Sequence, residues 1–244
     1  MPTPPTCNSG TLSFTPYPVC QWLCLPTLGS STGGDSCADQ GLPPQDCSTT
    51  KNPQGRWDPE FCQCISPVLV DVAGDGFRLT DLAGGVRFDH DGNGTAERTS
   101  WTAANSDDSW LALDRDGNGR VDNGAELFGT FTAQPLSDTP NGFLALAEFD
   151  RPHHGGNADG VIDSGDTVFP SLLLWRDANH DGVSEPRELH RLAALGVTRL
   201  ELSYKESKRS DEYGNWFRYR AKVSDAKQGQ AGRWAWDVFL HRAP

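Results

Sequence analysis

The chain has 244 residues, of which 36% are hydrophobic and 22% charged, as is usual for a soluble globular protein. Acidic residues outnumber basic ones 33 to 21, and the net charge of −12 argues against a nucleic-acid partner because it would repel phosphates. The longest apolar runs, such as 172–175, are too short to span a bilayer.

Residues 1–65 form a separate region, which contains all seven cysteines between Cys7 and Cys64. Crowded cysteines in a segment rich in Pro, Gly and Ser predict a small disulfide-stapled module in an oxidising compartment. A zinc site is the alternative, suggested by the spacing of Cys20 and Cys24 but disfavoured because the segment has no histidine. The disulfide connectivity and the partner of the odd cysteine stay open.

Residues 1–5 have neither the basic start nor the apolar stretch of a signal peptide. We expect that a leader has been trimmed, with export by another signal as the alternative. The protein is therefore predicted to be secreted or surface-exposed, in the extracellular or periplasmic space.

A second domain is predicted over residues 66–244. Short β-type runs alternate with Gly-rich acidic loops up to about residue 128. The predicted strands in this part are 68–70, 77–79, 85–88 and 110–113. Residues 172–175 form a further strand-like run, and the C-terminal segments 197–204, 216–223 and 233–240 alternate apolar and polar residues, which predicts antiparallel strands.

Helices are predicted around the acidic loops. Residues 142–149 carry apolar side chains at helical spacing after Asn141, a plausible cap. A short helix is expected over 166–171, and another over 186–195, opened by Pro186 and ended by Gly196. The predicted fold is therefore α+β, with an EF-hand-like pair at 142–195 and C-terminal strands over 197–240.

Five loops between residues 71 and 188 combine alternating Asp or Asn residues with a glycine. Calcium is a hard cation that takes about six to eight oxygens at about 2.3–2.6 Å. A loop of EF-hand type supplies them from side chains at its first, third and fifth positions, from the carbonyl of the seventh, and from a carboxylate at the twelfth. Glycine at the sixth position permits the sharp turn around the ion. We therefore predict calcium sites in these loops.

The Asp177 loop, residues 177–188, matches the whole motif. Its predicted ligands are Asp177, Asn179, Asp181, the carbonyl of Val183, and Glu188. The one departure is Ser184 at the eighth position, where an aliphatic residue normally pairs with a sister loop, so we expect weaker pairing of this loop.

The Asp150 loop, residues 150–166, contains an insert. Its predicted ligands are Asp150, Asn157, Asp159, the carbonyl of Val161, and Asp166. The insert 151–156 separates the first position from the third, so Asp150 must reach across it.

Two further loops match the motif less completely. In the Asp114 loop, residues 114–126, the final carboxylate comes one residue late and reaches the ion only if Gly124 forms a bulge. Its predicted ligands are Asp114, Asp116, Asn118, the carbonyl of Arg120, and Glu126. The Asp89 loop, residues 89–97, lacks an acidic twelfth residue, and its predicted ligands are Asp89, Asp91, Asn93 and Glu97. The fifth loop, residues 71–76, has Ala73 at its third position, and we expect it to bind most weakly if it binds at all.

Other interpretations of these loops compete with calcium binding. Asp-Gly and Asn-Gly pairs are also hairpin turn signals, but their repetition favours metal sites. Magnesium is disfavoured because it prefers fewer protein oxygens. His153 and His154 suggest a transition metal, yet adjacent histidines in an insert are more often solvent-facing, and we expect them to be so. No Ser/His/Asp triad, P-loop or zincin helix is recognisable.

The order of these motifs resembles a bacterial calcium-binding domain of RTX-type secreted proteins, which includes the calcium-dependent self-processing module of iron-regulated RTX proteins. The resemblance covers about residues 67–204. The motifs that carry it are Ser66-Pro67 to Gly76, Phe88-Asp89 to Trp101, Leu113-Asp114 to Gly129, and Leu174-Trp175 to Leu189.

The resemblance implies a cleavage position at which this chain lacks the required aspartate. Family members with processing activity cut an Asp-Pro bond just before the module, through attack of the aspartate side chain on its own carbonyl. The matching residues here are Ser66-Pro67, and serine cannot form that cyclic anhydride. We therefore expect no enzymatic activity, with Asp58-Pro59 as the alternative scissile bond.

The sequence thus predicts a secreted, non-enzymatic protein that binds about three to four Ca²⁺ ions, whose charge would offset the net negative charge. A calcium-dependent self-processing protein is one alternative. A surface adhesion protein is another, in which the cysteine-rich segment contacts a cell-surface or extracellular protein or glycan.

Overall fold

The structure, a computed structural model, describes residues 11–15, 21–25, 65–135, 137, 139–225 and 233–241. The chain divides into two units, residues 1–35 and 36–244. In the first unit, strands β1 (Thr11–Thr15) and β2 (Gln21–Leu25) pair in antiparallel fashion. The predicted disulfide module falls on side chains that lie outside the described residues.

The second unit is built on a nine-stranded antiparallel sheet that curves into a half-barrel. The strands lie in the order β7-β10-β12-β13-β3-β6-β8-β9, and β11 also pairs with β12, while β4 and β5 form a separate two-stranded sheet. The strands are β3 (Val68–Val70), β4 (Val86–Phe88), β5 (Glu97–Thr99), β6 (Ser109–Ala112), β7 (Val161–Ile162), β8 (Leu173–Trp175), β9 (Leu189–Arg191), β10 (Val197–Glu201), β11 (Lys205–Ser210), β12 (Trp216–Asp225) and β13 (Trp234–Phe239).

The central strands are apolar at successive positions because both faces of the sheet are covered. Successive side chains of a strand point to opposite faces. In β3, Val68 and Val70 join one core cluster, which includes Phe143, whereas Leu69 joins a second cluster around Trp110. The sheet therefore separates two hydrophobic cores, and the acidic loops connect its strands.

Among the described residues, regular helix is limited to one short element, α1 (Gly142–Ala147). Asn141 caps it, since its side chain accepts hydrogen bonds from the N–H groups of Phe143 and Leu144. The chain continues as a 3-10 turn over Glu148–Asp150. Other 3-10 turns comprise Pro152–His154, Phe169–Ser171 and Leu192–Leu195.

The α+β prediction with EF-hand helices is wrong. Within the described ranges, the Asp177 loop is followed by a turn, by β9 and by a 3-10 turn rather than by a helix over 186–195. β9 pairs with β8, where Leu189 lies opposite Trp175. So short an isolated helix is marginal in water, and edge pairing with the sheet determines the conformation instead. The helix predicted over 166–171 is likewise only a turn and a 3-10 turn.

The predicted strands agree better with the structure. β3, β4, β6, β8, β10, β12 and β13 fall within or overlap the predicted runs. Residues 77–79 contribute only an isolated bridge through Leu79. β5 and β11 were missed because their residues are mostly polar and lack an apolar alternation. Among the described residues, no helix has the length and apolar character needed to cross a membrane.

Candidate metal centres in the acidic loops

The acidic loops share one backbone turn that is closed by the first aspartate of each loop. In the Asp89 loop, the Asp89 carboxylate accepts hydrogen bonds from Gly92, Asn93 and Gly94 at 2.8, 3.1 and 2.9 Å. The Asp71, Asp114 and Asp177 carboxylates accept from backbone N–H groups at matching positions of their own loops. The sixth residue is a glycine with φ between 73° and 102° in these four loops. This left-handed conformation is unfavourable for residues with a Cβ and turns the chain around the carboxylate.

In four loops, the side chain of the fifth residue forms a hydrogen bond with the backbone of the seventh. Its side-chain oxygen accepts a hydrogen bond from the seventh residue's N–H, at distances of 2.7–3.1 Å. The donor and acceptor pairs are Thr95 with Asn93, Arg120 with Asn118, Val161 with Asp159, and Val183 with Asp181. The loops are therefore ordered locally by hydrogen bonds to their own side-chain oxygens.

The Asp114 loop brings its own carboxylates close together. Ligand oxygens of Asp114, Asp116 and Glu126 all lie within 4.8 Å of one another. Glu126 is only 5% exposed, and its two oxygens accept from the N–H groups of Arg115 and Asp122 at 2.9 and 2.8 Å. The late carboxylate of this loop thus lies beside the loop's first and third residues.

Gly124 explains how Glu126 is positioned. Its N–H donates to the Asp89 carbonyl at 2.8 Å, and a Cβ at this position would collide with the backbone of His90. The close approach therefore requires glycine. It also joins the Asp89 and Asp114 loops, because Asp89 and Asn123 form an isolated bridge.

The surroundings of Glu126 disfavour the ionised form of its carboxyl group. Burial raises the pKa of the Glu126 carboxyl above its ordinary value, hydrogen bonds from Asp122 and Arg115 oppose that shift, and the charges of Asp116 and Asp114 add to it. The three convergent carboxylates form an all-oxygen donor set. This chemistry fits a hard cation such as Ca²⁺.

In the Asp177 loop, the closing carboxylate lies in an equivalent place. Glu188 is 3% exposed and accepts from the N–H of Ala178 at 3.1 Å, as Glu126 does from Arg115, the second residue of its own loop. Trp101 donates its indole N–H to Asp177 at 2.8 Å. Among the described residues, however, Asp177, Asp181 and Glu188 do not form a group with all ligand atoms within 4.8 Å.

In the Asp150 loop, the first carboxylate reaches across the insert. Asp150 accepts from the N–H groups of Asp159 and Gly160 at 3.2 and 2.9 Å. Asp166 accepts from the N–H of Asp163 at 2.9 Å. Burial raises the pKa of the Asp166 carboxyl, that hydrogen bond opposes the shift, and the charges of Asp150 and Asp159 add to it.

The Asp89 loop is not closed in this way. Glu97, its predicted ninth-position ligand, belongs to β5 and pairs with Phe88 of β4. In the described part of the chain, Glu97 does not join Asp89 and Asp91 in a group within 4.8 Å.

The predicted EF-hand pair at 142–195, between the Asp150 and Asp177 loops, is wrong. The Asp177 loop pairs with the Asp114 loop instead. Ser184 of the Asp177 loop lies against Val121 of the Asp114 loop, and both hold the eighth position. The Val121 N–H donates to the Ser184 hydroxyl at 2.7 Å, and that hydroxyl donates to the Val121 carbonyl at 3.2 Å. Ile162 of the Asp150 loop pairs instead with Leu200 of β10. The serine expected to weaken loop pairing is therefore the residue that makes it.

The sequence reasoning missed one acidic group. Asp107 lies within 4.8 Å of Asp71 and Asp75 and accepts from the N–H of Ala73 at 2.6 Å. It supplies a carboxylate where Ala73 has none. The sequence signal was weak, because Asp107 precedes β6 by two residues and lies far from the Asp71 loop along the chain.

Comparison with known proteins finds a matching family and a similar bacterial protein. Residues 68–241 match the SPM domain family. A stretch of 154 residues is 40% identical to the iron-regulated protein FrpA of Neisseria meningitidis serogroup C. That match covers 61% of this chain and 13% of the relative, so the chain corresponds to a small part of that protein. The predicted relation to bacterial iron-regulated proteins is confirmed at this level.

Proposed function

Because this chain belongs to the SPM domain family, we propose that its second unit is a calcium-binding module, ordered by about three to four Ca²⁺ ions in the acidic loops. The observation that carries the proposal is the convergence of Asp114, Asp116 and Glu126 within 4.8 Å. Such a carboxylate group is unfavourable by itself, and a divalent cation removes the repulsion.

The loop connections support a cooperative module. The Asp114 loop contacts the Asp89 loop through Gly124 and the Asp177 loop through Ser184. Residues that order one loop therefore also position the next. About three to four Ca²⁺ ions would supply about six to eight positive charges, against a net charge of −12.

Replacing Glu126 by Gln is expected to weaken one calcium site by about 10–100-fold or to abolish it. Glutamine has nearly the same shape, but it lacks the charge, and its single side-chain oxygen can accept from only one of the two N–H groups of Arg115 and Asp122. Calorimetric titration of calcium-stripped protein measures the stoichiometry and affinities. Glu206→Gln is the matched control, because Glu206 is exposed on β11 and paired with Arg218. Unchanged binding in the Glu126 variant would refute the assignment of this loop.

We further propose that the module does not process itself. Ser66 is only 2% exposed. Two hydrogen bonds connect its backbone to Thr130: the Ser66 N–H donates to the Thr130 hydroxyl, and the Ser66 carbonyl accepts from the Thr130 N–H. A serine at this position has no carboxylate to attack its own carbonyl.

Purified protein incubated with calcium is expected to remain intact at the bond between residues 66 and 67. Mass spectrometry after incubation, with a calcium-free sample as control, is the measurement. Fragments ending at Asp58 or Ser66 would instead support the self-processing alternative.

We also propose a secreted or surface location, in keeping with the cysteine-rich segment and the family relationship. Millimolar extracellular calcium would fill even sites of about 10⁻⁴–10⁻³ M affinity. Cell fractionation of a producing bacterium tests the location, and recovery only from the cytoplasm would contradict it.

A further inference from the structure

The insert of the Asp150 loop forms a fixed turn that carries two adjacent histidines. Residues Pro152–His154 make a 3-10 turn that ends at Gly155, which has φ of 85°. The Gly155 carbonyl accepts from the N–H of Thr167, and the Gly156 N–H donates to the Arg151 carbonyl, both at 3.0 Å. Hydrogen bonds therefore fix the insert to the rest of the loop.

This turn brings the two imidazoles to a carboxylate. One ligand atom from each of Glu148, His153 and His154 lies within 4.8 Å of the other two. The two imidazole rings have centroids 4.1 Å apart. Two imidazoles and one carboxylate are a donor set that binds first-row transition metals.

His154 has the arrangement of a metal-binding histidine. Its Nδ1 lies 2.6 Å from the carbonyl oxygen of Glu148, so Nδ1 carries the proton and donates. Nε2 then has its lone pair available, and this buried atom makes no hydrogen bond within the described residues. Ligating histidines usually donate their other ring N–H to a carbonyl or carboxylate, which fixes the tautomer and the ring.

Glu148 currently has a competing partner. One of its carboxylate oxygens lies 3.0 Å from a guanidinium nitrogen of Arg151. The arginine is 52% exposed at its side chain, so this ion pair is worth little in water and can be displaced.

We propose that Glu148, His153 and His154 form a binding site for a divalent transition-metal ion of the Zn²⁺ class. The three protein ligands leave further coordination positions to water or an external ligand. We expected both histidines to face solvent. His153 is exposed, but both histidines also lie close to the Glu148 carboxylate, which that expectation did not include. The site is chemically distinct from the acidic loops, because nitrogen ligands favour Zn²⁺ over Ca²⁺.

The test uses the full chain saturated with Ca²⁺, so that oxygen-only sites are filled before Zn²⁺ is titrated by calorimetry. The wild-type protein is expected to bind one more equivalent of Zn²⁺ than the His153→Gln/His154→Gln variant. His190→Gln is the matched control and should bind as the wild type does. Glu148→Gln is expected to weaken this equivalent by about tenfold or more.

Arg151→Gln gives a result that damage to the fold cannot mimic. Removing the competing cation frees the Glu148 carboxylate and is expected to tighten Zn²⁺ binding several-fold. Circular dichroism of each variant establishes that the fold is kept.

Cysteine thiolates are the competing ligands, and Co²⁺ distinguishes them. Binding at the proposed site should give Co²⁺ d–d absorption that the double histidine variant loses, without a thiolate charge-transfer band from the same equivalent. The proposal is overturned if the histidine variants bind Zn²⁺ like the wild type, or if alkylating the cysteines removes all binding. Because Zn²⁺ is measured separately, the outcome does not depend on whether the acidic loops bind calcium.

Discussion

Removing Ca²⁺ with a chelator is expected to lower the melting temperature of the protein by about 20 °C. A site filled at about 100 times its dissociation constant stabilises the folded state by about 2.7 kcal/mol. Three such sites contribute about 8 kcal/mol, and for a domain of this size each kcal/mol changes the melting temperature by about 2–4 °C. Calorimetry or circular dichroism with about 10 mM Ca²⁺ and with a chelator measures the difference.

The size of this effect follows from where the loops lie. The Asp114 and Asp177 loops lead directly into or out of β6, β8 and β9, and the Val121–Ser184 contact connects them. Loss of the ions restores repulsion among carboxylates at the ends of these strands. Magnesium at the same concentration is the control and should stabilise much less. Glu126→Gln should remove about a third of the calcium effect if three sites contribute equally. A melting temperature that does not respond to the chelator would refute the calcium proposal.

Replacing Asp237 by Asn is expected to stabilise the protein at alkaline pH by up to about 4 kcal/mol. Asp237 of β13 is fully buried and accepts the N–H of Gly142 at 2.6 Å, at the start of α1. Burial raises its pKa from 3.8 to about 7, and the Gly142 hydrogen bond opposes that shift. Each pKa unit corresponds to about 1.4 kcal/mol of difference between protonation states.

The sign of the pH dependence follows from the raised pKa. Below about pH 4 the carboxyl is protonated in both the folded and the unfolded chain, and its favourable contribution is complete. As the pH rises, the Asp237 carboxyl ionises first in the unfolded chain, while it stays protonated in the folded chain until about pH 7. The free energy of unfolding therefore falls as the pH rises toward about 7. Asparagine cannot ionise, yet its side-chain oxygen can still accept from Gly142.

Urea unfolding of Asp237→Asn and of the wild type, both with calcium present, measures this prediction across about pH 4 to 8. The free energy of unfolding of the variant should exceed that of the wild type by an amount that grows as the pH rises. The two should differ little near pH 4. Glu206→Gln, a surface change on β11, is the control and should follow the wild-type curve. Equal differences at all pH values would mean that Asp237 does not ionise within this range.

The individual loops were predictable because their order is local. Asp89, Asp114 and Asp177 accept N–H groups from within a few residues, and the glycine in each turn has a conformation that sequence alone indicates. The alternating C-terminal strands were predictable for a similar reason, since residues at every second position face one core.

The failures share a different cause, which is contact between segments far apart in the chain. The segment 186–195 has a helical start signal, but pairing with β8 makes part of it a strand. Ser184 departs from the loop motif, but Val121 gives its hydroxyl a partner 63 residues away. Asp107 completes the Asp71 cluster from beyond the β4–β5 sheet.

The sequence by itself therefore determined the loop turns, the spacing of their oxygens and most of the strands, since each depends on neighbours within a few residues. Only the tertiary structure decided which loops meet and that a sheet replaces the EF-hand helices. Those outcomes depend on burial and hydrogen bonding between distant segments, and hydrophobic period and motif spacing do not encode such contacts.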